Sequence, residues 1–376
     1  MNKLPHAGAA LENKMIEAIR AEASEAEQNK QLTQQQLELV YQQQWFNMFV
    51  PKRYGGLEMA LIPALQLLEA LAYADGSLGW TVNLNAGANL FAGYMKPELA
   101  QEIFDNPKAC IAGSGAMGGT ARPEDNGYRV EGHWKYASGS THATAFTANC
   151  RITPASNNEE GNYHSFVFLP QEVEVQEAWH AYGLQATASH SFEVAERWLG
   201  EERSFSLTGP SLYEKGPLYH FPFVPFGELT ISLQLTGIAT HLIEEAHSLL
   251  VRKKNVGRTG NNTGSTLEDT MARSEATLEA ARAWLYLTAS EAWQASEGGS
   301  QPSKEILRKV SLSARHAAGS AITTASDIYT LVGMKAVNPK STINRCWRDL
   351  HTASQHTLVS PLGIAGLAMS AKKLMT

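Results

Sequence analysis

Cysteine is scarce in this chain. Its three residues, Cys110, Cys150 and Cys346, stand far apart among 376. No C-x-x-C pair and no Cys/His cluster occurs, so neither a disulfide framework nor a metal site is expected. A reducing cytoplasm is the expected location. Long apolar runs are missing as well. The start, MNKLPHAGAALENK, lacks the apolar core of a secretory signal, and no later run approaches membrane-spanning length. No membrane association is therefore expected. Charge of one sign is not in excess either: a formal net charge of -6 leaves no electrostatic footprint for nucleic acid. There is no internal repeat and no low-complexity tract. What remains is an ordinary globular composition, 43% hydrophobic and 18% charged, long enough for two or three domains with a large core.

Texture along the chain divides it into three. The first part reads as helices. Gln31 to Phe49 is rich in good helix formers, and Pro51 with Gly55-Gly56 punctuates its end. Two strongly apolar segments follow, Leu61 to Ala74 and Leu78 to Tyr94, and Pro97 opens a short helix through Phe104. From Ala109 short runs of strand character take over, Cys110–Ala112, Tyr128–Glu131, Phe146–Cys150 and His164–Leu169. Asn126-Gly127 before the alternating Tyr128 and Val130 is a hairpin signal. From Pro225 helical periodicity returns. Leu235, Ile238, Leu242, Ala246 and Leu249 form one stripe, Met271, Leu278 and Leu285 a second, and Val310, Ala314, Ala317, Ala321 and Ile328 a third. Asn261-Asn262-Thr263-Gly264 and Glu297–Ser300 read as connections. Three long helices plus a shorter one near Asn344 to His356 suit a four-helix bundle. The expected fold class is α+β multidomain: a helical N-domain over 1–108, a β-domain over 109–215 and a helix bundle over 216–376.

That order, and four local patterns in sequence, resembles the acyl-CoA dehydrogenase superfamily. Pro51–Gly56 is similar to its P-x-x-Y-G-G element, and Asp75–Trp80 to its D-x-S-x-x-W helix start. Gly183 through Thr187 and Ser189 resembles its G-x-x-x-T-x-S turn, and Arg345–Asp349 its R-x-x-R-D element. Within the superfamily, Gly132-His133-Trp134-Lys135-Tyr136-Ala137-Ser138-Gly139 is closest to the G-x-W-x-F-x-S-G strand of reduced-flavin monooxygenases. The resemblance implies a β-barrel in the middle domain, FAD or FMN as cofactor, and a homodimer or homotetramer. It also implies a flavin reductase as partner and a small molecule as substrate.

Flavin chemistry needs a wall for the ring and donors to its nitrogens and carbonyls. The resemblance assigns the wall to Trp134 and a hydroxyl at the reactive edge to Ser138; read without it, the two are a core tryptophan and a turn serine. The dehydrogenase base, a glutamate eight residues past the Asp of the R-D pair, would fall on Thr357, which is no base at neutral pH. His356 beside it can be one, and it matches the histidine that monooxygenases of this branch carry in their last helical segment. Its plainer reading is a solvated helix-end histidine. His351 faces elsewhere. Glu228 lies near the place where some relatives put their glutamate, although an acidic residue in a first turn is often only dipole-matching.

Gly113-Ser114-Gly115-Ala116-Met117-Gly118 satisfies G-x-G-x-x-G after a strand, yet a hairpin signal follows where a dinucleotide-binding turn needs a helix. Gly113 and Ser114 are instead expected on a glycine-rich loop near the flavin. Arg252, with Lys253 and Lys254, occupies the place from which dehydrogenases hold the FAD of a neighbouring subunit, or simply complements a helix end. The glutamine partner found in the family is replaced near Ser265 and Thr266, which leaves FAD and FMN both open. Three functions follow in order: the oxygenase of a two-component monooxygenase, a thioester dehydrogenase working through Glu228, and a non-catalytic binding protein on the same fold.

Overall fold

The computed structural model describes residues 4–153, 163–207, 213–255, 261–298 and 301–360, with the side chains of 252–255 and 261–266 left aside. Local chemistry at the helix ends sets the helical parts. In the N-domain the helices are α1 (Asn13–Asn29), α2 (Gln34–Gln42), α3 (Leu61–Ala74), α4 (Gly76–Asn89) and α5 (Pro97–Phe104). Thr33 and Gln36 form a reciprocal capping box on α2. Asp75 caps α4, its Oδ1 accepting the Leu78 N–H at 2.9 Å. The stretch read as one helix to Phe49 stops at Gln42, and a short 3-10 turn continues over Trp45–Asn47.

Seven strands follow: β1 (Ile111–Glu124), β2 (Gly127–Ala137), β3 (Ala145–Ile152), β4 (Tyr163–Phe168), β5 (Glu174–Gln176), β6 (His190–Gly200) and β7 (Ser204–Phe205). The β1–β2 hairpin closes Glu124 on Gly127, with Asp125 at φ +51° in the turn. The strand order is β5-β6-β2-β1-β3-β4-β7, with β1 and β3 parallel and the other pairs antiparallel. β5 and β7 are its edges, so the sheet is open and mixed where the resemblance implied a closed barrel. Both edge strands are very short, which limits the unpaired backbone they present.

The C-terminal region holds α6 (Pro217–His220), α7 (Phe223–Asn255), α8 (Asn261–Glu297), α9 (Lys304–Val332), α10 (Met334–Val337) and α11 (Thr342–Ala353). The Asn-Asn-Thr-Gly run is the first turn of α8 and not a connection. Every residue of the three apolar stripes is buried except Leu249, which is half-buried. No helix among the described residues is long and apolar enough to cross a membrane, and no group of three metal-binding side chains occurs among them. One apolar cluster runs through the seam of all three regions: Trp80 of α4, Leu184 of the β-domain, Leu235 to Leu250 of α7, and Cys346 and Leu350 of α11.

Candidate active site

A bulge at the end of β2 shapes the site. In a regular strand Trp134 and Tyr136 would share one face. Tyr136 instead takes a φ of +68°, and pairing with β6 jumps between Trp134 and Ala137. Such a backbone costs a non-glycine residue roughly 1–2 kcal/mol. Trp134 stays inside at 1% exposure while Tyr136 turns out to 67%, edge-on to Trp179. The Ser138 N–H then folds back onto the Tyr136 carbonyl at 3.1 Å. Gly139 follows at φ +76°, where a Cβ would sit 2.5 Å from Asn85 Oδ1. This reversal sets Ser138 into the seam between sheet and helices, 3% exposed.

There Ser138 meets α4. The Trp80 indole N–H donates to Ser138 Oγ at 3.2 Å. On its other side Ser138 Oγ lies 2.8 Å from Ser189 Oγ, which lies 2.7 Å from Thr187 Oγ1. The Thr187 hydroxyl donates to the Leu184 carbonyl at 2.8 Å. His356, in the turn after α11, meets the Trp80 ring edge-on with centroids 5.7 Å apart. Its Nδ1 accepts the Leu358 N–H at 3.4 Å, and burial pushes its pKa down to about 4. The imidazole is therefore neutral at neutral pH, a hydrogen-bonding group that burial makes a weak base. Ser138 and His356 thus meet at one indole, and Ser189 and Thr187 continue the hydroxyl chain behind Ser138. Trp80 entered the sequence reading only as part of a helix-start pattern. Its place within a turn of the Asp75 cap, next to the seam, was the signal for a larger role.

The R-x-x-R-D element clamps this arrangement. Asp349 Oδ1 accepts the Leu184 N–H at 2.6 Å, and Arg348 Nη1 donates to the Tyr182 carbonyl at 2.6 Å. A side chain on Gly183 would collide with the Arg348 carbonyl. Arg345 Nε lies 3.8 Å from Asp75, the residue that caps α4. Burial, reinforced by the Asp75 charge, lifts Asp349 to about 7, and burial lifts Asp75 as well. Asn85 donates to the carbonyls of both Ile111 and Ser138. Its Oδ1 and His142 Nε2 are buried beside Gly139 without a hydrogen-bond partner.

Trp134 cannot be a flavin wall in this geometry. Its ring stacks on Phe192 and leans on Phe168, packs against the backbone at Gly118, Gly119 and Gly132, and spends its N–H on the Asn149 carbonyl. The aromatic surface beside Ser138 belongs to Tyr136 instead. Gly113 and Ser114 lie not on a loop but on β1, which bulges against β3 just beyond Ser114. Gly113 packs so tightly on Thr147 that a Cβ would collide, whereas Gly115 to Met117 are exposed. As expected, no helix follows this run.

Two family models match the chain: Acyl-CoA dehydrogenase, N-terminal domain, over residues 9–105, and Acyl-CoA dehydrogenase, C-terminal domain, over residues 229–361. Together they take in more than half of its length. The chain belongs to the acyl-CoA dehydrogenase family. Among proteins similar to this member, the indole-3-acetate monooxygenase of Pseudomonas putida is 27% identical over 84% of this chain and 80% of its own. The oxygenase subunit HsaA of a flavin-dependent monooxygenase from Mycobacterium tuberculosis is 24% identical, covering 94% and 91%. The fold is shared with the 3-HSA hydroxylase of Rhodococcus sp. RHA1, at a TM-score of 0.87 and 20% identity over 96% and 95% of the chains. XiaF of Streptomyces, solved with FADH2 and glycerol, gives 0.82 at 22% identity over 92% and 90%.

In this acyl-CoA dehydrogenase family member the usual base position holds Thr357, which is exposed. Glu228 is fully buried on α7, its Oε1 3.0 Å from Arg315 Nη2 and its Oε2 accepting the Ser311 hydroxyl. Both oxygens are thus engaged by α9. His351 lies tilted against Trp347, with centroids 4.2 Å apart, rather than on the Trp80 cluster. The side chains of Arg252, Lys253, Lys254, Ser265 and Thr266 lie outside the described residues.

Proposed function

We propose that this chain is the oxygenase component of a two-component flavin monooxygenase, an oxidoreductase that takes reduced FAD or FMN from a partner reductase and oxygenates a small aromatic molecule. One observation carries the reading. Ser138 and a neutral His356 flank Trp80, and none of the hydrogen bonds of these three side chains goes to a carboxylate. Proton abstraction next to a thioester carbonyl needs a carboxylate base; Glu228 instead serves an ion pair. The relatives named as monooxygenases, and XiaF with FADH2, support the same conclusion.

The residues present fit a flavin. Ser138 Oγ has a Trp80 donor and one hydroxyl neighbour, which leaves it one further hydrogen-bonding position. The exposed Tyr136 ring offers an aromatic surface two residues away. Ser138, Tyr136 and the backbone at Gly113 and Ser114 would hold the group. Bound reduced flavin supplies the activation of O2. Ser138 contributes a fixed hydroxyl, and the neutral His356 offers a ring nitrogen for a hydrogen bond from a substrate O–H or N–H. Trp80 keeps Ser138 in place through its indole N–H.

Substrate would lie along α4. Trp80, Leu84 and Gly87 share one face of that helix, and Phe91 follows in the short 3-10 turn at its end. A Cβ on Gly87 would meet only the Phe226 ring, at 3.8 Å, so space remains beside it. Phe91, Phe223 and Phe226 pack together there, which favours a flat apolar ligand. We further assign functional units to 1–108, 109–215 and 216–376, the last as a four-helix bundle of α7, α8, α9 and α11. A homodimer or homotetramer is supported by the exposed Trp284, Leu287 and Leu312 on α8 and α9.

The test is anaerobic titration with reduced FMN and reduced FAD, then rapid mixing with O2. Tighter binding of the reduced form, and a transient absorbance distinct from oxidised and reduced flavin, is the expected result. Tightly held oxidised FAD with no transient would instead mark dehydrogenase chemistry.

A further inference from the structure

The three hydroxyls behind Trp80 form a chain that can run in either direction. In one polarity Thr187 donates to the Leu184 carbonyl, Ser189 to Thr187, and Ser138 to Ser189, over contacts of 2.8, 2.7 and 2.8 Å. Ser138 then turns a lone pair to the seam. In the other polarity Thr187 donates to Ser189, Ser189 to Ser138, and Ser138 donates outward, at the cost of the Thr187–Leu184 bond, whose two oxygens then face each other as acceptors 2.8 Å apart. The Leu184 carbonyl is not left bare, because the Trp179 indole N–H also reaches it at 2.9 Å. Trp80 donates to Ser138 in both states, and no O–H is left over in either once the outward position is filled. All three residues are buried, at 3%, 4% and 1% exposure, so an unpaired O–H among them would be costly. The inner end is a backbone carbonyl and not a titratable group. The chain therefore reorients protons but delivers none.

We infer that Thr187 and Ser189 are positioning residues that let Ser138 switch from hydrogen-bond donor to acceptor when the flavin beside it is reduced. This rests on the flavin lying next to Ser138, as proposed above. A flavin ring nitrogen that offers a lone pair in the oxidised state carries a hydrogen in the reduced state, so a fixed partner suits only one of them. Substituting Thr187→Val leaves Ser189 no inner acceptor. Ser189→Ala does the same to Ser138. Each variant strands one buried O–H only when Ser138 acts as acceptor, so each penalises the reduced form. Thr187→Ser keeps the chain.

The experiment measures dissociation constants of oxidised and of dithionite-reduced FMN and FAD, anaerobically, for wild type, Thr187→Val, Ser189→Ala, Thr187→Ser and Ser138→Ala. Reduced flavin is expected to weaken relative to oxidised flavin by about tenfold in the first two variants, with Thr187→Ser close to wild type. Equal weakening of both forms, or no change, would overturn the switch and leave Ser138 as a static contact. If Ser138→Ala alters neither constant, the flavin is not beside Ser138 and both readings fall. Two independent variants with the same expected sign guard against one of them failing to fold.

Discussion

Trp80 and Trp134 are both nearly buried tryptophans whose indole N–H is used, yet they do different work. Trp134 donates to a backbone carbonyl and is enclosed by phenylalanines and glycines of one sheet. Trp80 donates to a side-chain hydroxyl at a boundary shared by three parts of the chain. The partner, and not the burial, separates them. A carbonyl in a sheet is already fixed, so donating to it adds stability. A serine hydroxyl still has a hydrogen to give, so donating to it leaves chemistry available.

The contrast breaks most severely at the core. Trp134→Ala should cost about 3–5 kcal/mol in chemical denaturation, while flavin affinity per folded molecule stays near wild type. Glu228→Ala belongs to the same structural class. It strands the buried Arg315 guanidinium, 11% exposed, and should cost about 3 kcal/mol or more. A loss of turnover with unchanged stability would return Glu228 to catalysis. At the seam, His356→Gln should slow substrate oxygenation about 10- to 100-fold with little change in unfolding free energy. Its acid limb tests the assignment further. With a pKa of about 4, the wild-type imidazole protonates only in strong acid, so activity should fall there and the variant should lack that limb. Stability follows the same sign: a histidine held below its unfolded value stabilises least as pH drops from about 6.5 toward 4.

Asp349→Asn sharpens the comparison through pH. Its folded value, raised to about 7, means that the native state binds more protons than the unfolded one between its unfolded value and 7. The stabilisation is present below that window and is lost as pH rises through it. Unfolding free energies of the variant should gain on wild type by up to about 1.4 kcal/mol per pH unit there. The smallest effect is expected from Trp80→Phe, which keeps the ring and deletes the N–H. A loss of about 1 kcal/mol in stability, with weakened flavin binding, would place Trp80 on the chemical side of the contrast. Unchanged flavin binding would place it with Trp134.

Much of this was legible because it depends on near neighbours. Thr33 and Asp75 announce helix starts by their own hydroxyl and carboxylate. The stripes on α7, α8 and α9 repeat at helical spacing and, Leu249 apart, are buried as that spacing requires. The convergence of Ser138, Thr187, Ser189 and His356 was indicated only through family resemblance, since nothing local links residues so far apart. Tyr136 escaped because alternation along a strand holds only while φ stays negative, and its left-handed backbone reverses the two aromatic rings of one motif. Gly113 to Gly118 escaped because glycine marks close approach as readily as it marks a loop. Glu228 was read as a first-turn residue, but α7 begins at Phe223 and puts it past that turn, and its partners, Ser311 and Arg315, lie on another helix.

The Leu184–Asp349 hydrogen bond joins residues 165 positions apart, and that separation has a consequence in time. At roughly 5–20 residues per second of synthesis, the β-domain emerges many seconds before the helix that pins its Gly183–Ser189 turn. Until α11 arrives, Leu184 lacks its carboxylate partner. The seam is therefore completed only once α11 has emerged, and a chain interrupted before that point would carry the sheet domain without the Leu184–Asp349 bond.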